Sequence, residues 1–178
     1  MEQQQIEQLA DAVLSAIAQK LNPQDQVEDG LIKVNGYRSV YVSKNKEDDG
    51  ILYHVNAGEL TFVEANAIKG RLSRVTTYTK NEGDRKTEAQ KLSFYFECSE
   101  AKYRLEVGLE RIAGKDLLAD LATMSSEQLK KPITVAFKRG DDVAFAKVLE
   151  VERDRAGQNY EDIDSLQLLE QVQTLLEG

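Results

Sequence analysis

Tryptophan is absent from this chain of 178 residues, cysteine and histidine occur once each, and proline occurs twice. The lone Cys98 cannot close a disulfide within the chain, and with His54 it supplies only two of the four ligands of a Cys/His zinc site, so structural zinc in a single copy is excluded. No apolar run approaches the roughly 18 residues of a membrane span, and the start, Met1-Glu2-Gln3-Gln4-Gln5, lacks the basic and apolar regions of a signal peptide. A cytoplasmic protein with no membrane association is the expectation. With 41% apolar and 30% charged residues and eleven glycines, the composition is that of a soluble globular chain rather than a disordered or fibrous one.

A catalytic signature is also lacking. Between Gly108 and Gly114 lie five residues, where a phosphate loop has four, and Asp116 follows Lys115 where that loop needs Ser or Thr. Cys98 and His54 are not placed together by any pattern, and Cys98 ends an aromatic strand, the usual setting of a buried free cysteine. The acidic clusters Glu47-Asp48-Asp49, Asp141-Asp142 and Asp162 with Asp164 do not have the alternate spacing of a calcium loop. The expectation is a non-enzymatic protein with no cofactor and no metal.

What the chain does contain is divided charge. The total is -8, yet residues 1 to 68 carry five basic against eleven acidic residues, 69 to 139 fifteen against ten, and 140 to 178 three against ten. A polyanion responds to the local field of the surface it meets, so the basic middle outweighs the acidic total as a guide to partners.

The hydrophobic periods supply the elements. Ile6, Leu9, Ala10, Val13, Leu14, Ile17 and Leu21 repeat at three and four residues until Asn22-Pro23, an amphipathic helix. Short strands follow around Tyr37, Val40 and Val42, over Ile51 to Val55, and over Leu60 to Val63, the last two flanking Asn56-Ala57-Gly58. Leu72 to Thr79 is a β-branched run, Lys80 to Gln90 a polar loop, Leu92 to Glu97 a strand with Leu92, Phe94 and Phe96 on one face, and Tyr103 to Leu109 another strand. A helix over Leu117 to Met124, strands over Ile133 to Phe137 and Val143 to Val151, and a closing amphipathic helix from Ile163 to Leu176 complete the order.

The order strand, strand, strand, helix, strand, strand across residues 70 to 151 resembles the oligonucleotide-binding (OB) fold, a five-stranded partly open barrel. The resemblance covers about 80 residues and rests on element order and length. It implies an α+β, β-rich chain: an OB-like five-stranded barrel at 69–155, an N-terminal helix and short antiparallel strands at 1–68 packed on it, and a C-terminal amphipathic helix at 156–178.

Single-stranded nucleic acid is held by cations for its phosphates and flat side chains for its bases. Those residue types alternate along the middle strands: Arg71, Arg74 and Tyr78, then Arg85, Lys86 and Lys91 around the loop, then Tyr95, Lys102 and Arg104, and finally Lys138 and Arg139 beside a hairpin that OB barrels use for ligand. The expected function is binding of single-stranded nucleic acid, DNA in preference to RNA, with low sequence specificity. The alternative is a protein-interaction or scaffold module that uses the barrel and the terminal helices to hold a protein partner or a second copy.

Overall fold

A computed structural model describes residues 36–81 and 88–178. The sequence-derived helix at 4–21 and the candidate residues Arg85 and Lys86 lie outside the described residues. Eight strands form one strongly curled sheet, a half-barrel. They are β1 (Arg38–Val42), β2 (Leu52–Asn56), β3 (Glu59–Val63), β4 (Ala67–Asn81), β5 (Glu88–Glu97), β6 (Lys102–Gly108), β7 (Pro132–Arg139) and β8 (Ala144–Val148). Helix α1 (Ile112–Ala122) and the single turn α2 (Ser126–Leu129) separate β6 from β7, and α3 (Ser165–Glu177) closes the chain. The α+β, β-rich expectation holds, and the upstream strands β1 to β3 join β4 to β8 in one eight-stranded sheet.

The spatial order is β3-β2-β1-β6-β5-β4-β7-β8. Every neighbouring pair is antiparallel except β1 and β6, which run parallel with Val40 opposite Leu105. The β2–β3 connection is a two-residue turn in which Ala57 (φ 50°) and Gly58 (φ 88°) both take positive φ, as hairpins favour because that twist matches the strands. Strand β4 serves two neighbours: Ala67 to Arg71 pairs with β7, and Arg71 to Asn81 with β5. A register shift between Leu72 and Arg74 marks the change, and such an irregularity bends a strand and increases its twist.

Alternation divides each central strand between two faces. Leu92, Phe94 and Phe96 of β5, Leu105 of β6 and Val135 of β7 are buried on one face beneath Leu117, Leu118 and Leu121 of α1 and Leu169 and Val172 of α3. Each such side chain contributes about 1.5 to 3 kcal/mol on burial. Helix α3 is started by Asp164, whose carboxylate accepts from the amides of Leu166 and Gln167, and α2 by a capping box between Ser125 and Gln128.

Two expectations change at strand ends. The ladder of β4 and β5 runs on to Asn81 and Glu88, well into the stretch read as a polar loop, because backbone pairing continues where no side chain needs burial. Strand β8 stops at Val148 rather than Val151. Beyond it the Glu150 carboxylate takes the Thr134 amide (2.9 and 3.1 Å), and the amide of Leu149 goes to the Thr134 carbonyl at 2.9 Å.

The outer edge of β8 is covered by side chains. Asp116 and Asp120 on α1, both fully buried, accept from the β8 amides of Ala146 (3.4 Å) and Val148 (2.9 Å). Arg153 and Arg155 pair with both carboxylates, Arg155 also donates to the Ala146 carbonyl, and the Tyr160 hydroxyl donates to Asp116 at 2.9 Å.

Candidate nucleic-acid interface

Residues directly opposite in a ladder share a face, so the register lays side chains out in rows across the strands. On the face away from the apolar core, one row runs Arg74, Tyr95, Arg104 and Ser39 across β4, β5, β6 and β1. A second runs Arg71, Glu97 and Lys102, and a third Tyr78, Lys91 and Gly108. The structure thus brings seven of the sequence-derived candidates onto one surface: Arg71, Arg74, Tyr78, Lys91, Tyr95, Lys102 and Arg104.

Contacts within the rows fix the side chains. The Arg74 guanidinium lies 4.1 Å from the Tyr95 ring centre, and Tyr37 meets the same ring edge-on at 4.9 Å. Lys102 sits 5.9 Å above Tyr37 and 3.7 Å from Glu97, which also pairs with Arg71. Arg104 donates to Ser39 Oγ at 2.8 Å and lies 2.6 Å from Glu106. The Arg71 hydrogen bond and charge, helped by Lys102, hold the Glu97 carboxyl below its ordinary pKa. Burial would raise the Tyr95 phenol, but the hydrogen bond with Thr76 and the charges of Arg74 and Arg104 outweigh it, and the net shift is downward. The two guanidinium groups and the hydrogen bonds thus surround a half-buried aromatic ring.

The upstream hairpin extends this face. Thr76, Ser93, Glu106, Tyr41, Tyr53 and Phe62 form a continuous row across six strands. Tyr41 and Tyr53 stack at 5.4 Å and 26°, and Phe62 tilts against Tyr53 at 5.7 Å. The row meets a cleft of about 550 Å³ lined by Tyr41, Tyr53 and Tyr78, by Lys44, Lys80, Lys91 and Arg111, and by Glu106, Glu110 and Asp142. The Tyr78 hydroxyl donates to Glu106, and burial together with that bond pushes its pKa well up, so the phenol stays neutral. Burial likewise raises Tyr53.

Tyr37, Tyr41, Tyr53 and Phe62 are absent from the sequence-derived set. Their signal was period-two spacing, Tyr37 to Ser39 to Tyr41, but nothing local announces that β1 lies beside β6. Two candidates sit elsewhere. Arg139 donates to the carbonyls of Asp48 (2.9 Å) and Gly50, which ties the β7–β8 hairpin to the β1–β2 loop. Lys138 is exposed at the end of β7, six residues and roughly 20 Å along the strand from Pro132, the partner of Arg71.

His54 and Cys98 line a separate groove of about 230 Å³. The His54 ring bonds through Nδ1 to the Ser39 carbonyl at 2.7 Å, and burial raises the Cys98 pKa, which disfavours the thiolate a nucleophile needs. Among the described residues no cluster of three or more His, Cys, Asp or Glu is placed to hold a metal ion, and no helix is long and apolar enough to cross a membrane. No protein-family model, no curated protein and no solved structure matches the chain.

Proposed function

We propose that this protein binds single-stranded nucleic acid on the face made by β1, β2 and β4 to β6, without catalysing a reaction. The observation that carries the reading is Tyr95, held edge-on by Tyr37 and capped by Arg74, in a row with Arg104. Bases stack on rings of this kind whatever their sequence, while the neighbouring cations meet phosphates.

The strand order supports an OB-type assignment of residues 67–148. Strands β4, β5 and β6 form a meander, helices follow, and β7 returns to the first half of β4 with β8 beyond it. In this chain β1 occupies the outer edge of β6. The added hairpin enlarges the face that such barrels use for oligonucleotides.

Fluorescence anisotropy of labelled single- and double-stranded oligonucleotides, titrated at two salt concentrations, tests the proposal. Tighter and salt-sensitive binding of the single strand is expected. A protein that binds neither strand at low salt overturns the reading. The protein-interaction alternative then gains weight from Val55 (44% exposed) and Leu60 (60% exposed), which pair across β2 and β3 at a sheet edge.

A further inference from the structure

Resting on that single-strand reading, we propose that the cleft beside β1 receives one nucleobase of the bound strand, stacked on the Tyr41–Tyr53 pair with its phosphate on Lys44 and Lys80. This adds a subsite built by the upstream hairpin, apart from the surface around Tyr95.

The volume of about 550 Å³ lies within the range of sites that enclose small organic ligands. Its walls combine a preformed ring stack with ammonium groups, the two chemistries a nucleotide presents its base and phosphate to. Gly108, in the third row, carries no side chain, and the space a Cβ would take there is held by the Arg111 side chain, which brings that cation to the cleft wall.

Of the three acids that line the cleft, two are engaged by cations outside it, and Asp142 alone stands against Lys44, Lys80 and Arg111. Glu106 is 2.6 Å from Arg104 and Glu110 is 2.8 Å from Lys115, and neither Arg104 nor Lys115 lines the cleft. Lys44, Lys80 and Arg111 make no ion pair among the described residues. Tyr78 gives its proton to a hydrogen bond with Glu106 and stays neutral, so it adds no negative charge. The local balance is therefore positive beside an aromatic stack, which selects a base with an attached phosphate over a neutral aromatic compound.

The test uses the full chain and single-stranded oligonucleotides carrying 2-aminopurine at successive positions, whose fluorescence is quenched by ring stacking. Wild type is expected to quench strongly at a position that Tyr41→Leu no longer quenches, with affinity lowered about five- to 150-fold by the lost stack. Tyr41→Phe keeps the ring and should keep the quench. Tyr95→Leu should weaken binding yet leave this quench in place at saturation. Lys44→Ala combined with Lys80→Ala changes only exposed side chains and should lower affinity with an unchanged circular dichroism spectrum. A full quench in Tyr41→Leu, or unaltered affinity in the double lysine variant, overturns the subsite while oligonucleotide binding itself stands. Absence of any binding by wild type overturns the parent reading instead.

Discussion

Tyr95 is half-buried and constrained, since Tyr37 and Arg74 hold its ring from two sides. Ordering an aromatic before binding removes part of the entropy cost of stacking a base. Tyr95→Leu should therefore weaken single-strand affinity by about 1 to 3 kcal/mol, read as a shift in the anisotropy midpoint, with little change in melting temperature. Tyr160 is the opposite kind of tyrosine. Burial and its bond to Asp116 push its pKa up to about 12, from an ordinary value of 10.0. The folded state therefore holds this proton more tightly than the unfolded chain, and the stability it contributes is present below pH 10 and lost as pH rises towards 12. Chemical denaturation of wild type and Tyr160→Phe across that window should show the difference between them shrinking with rising pH. A constant difference would mean that the hydroxyl contributes only packing.

A sheet edge explains why α1 carries two acids in its buried face. Asp116 and Asp120 stand where hydrophobic periodicity asks for apolar residues, and they serve as acceptors for the outward amides of β8 while Arg153 and Arg155 neutralise them. Removing Asp120 takes the acceptor from the buried Val148 amide and leaves both arginines on Asp116 alone, so Asp120→Ala should cost about 3 kcal/mol in urea denaturation. An exposed control, Glu127→Ala, should cost well under about 1 kcal/mol, because its pair with Lys130 is at the surface. The element order from β4 onwards was legible because Leu92, Phe94 and Phe96 set one face and the helical period returned at Leu117. The partner of β1 was not legible. Its parallel pairing with β6 joins residues about 65 apart, Val40 to Leu105, and such a contact leaves no mark in a local window. The aromatic row on Tyr41, Tyr53 and Phe62 was lost with it, while the shared face of Arg71, Arg74, Tyr95 and Arg104 was legible because they alternate within strands already assigned.

At the scale of the whole molecule, a net charge of -8 opposes a polyanion and a positive face attracts it, and the two act at different distances. At about 0.01 M salt the fields of exposed charges reach roughly 30 Å and the net charge acts on approach, whereas at about 0.1 M they are screened beyond roughly 10 Å and the cations of the face govern what happens on contact. Binding should therefore weaken with salt along a log-log slope of about -0.7 for each phosphate neutralised, close to -2 if Lys44, Lys80 and Arg74 each meet one. Lys80→Ala should make that slope shallower by about 0.7. Because added salt also relieves the long-range repulsion, the association rate constant should change little or rise with ionic strength, leaving the dissociation rate to carry the slope. Stopped-flow mixing of protein with labelled single strand separates the two rates. An association rate that falls steeply with salt would mean that the ligand is steered by the basic face from a distance and that the acidic segments stand well clear of its path.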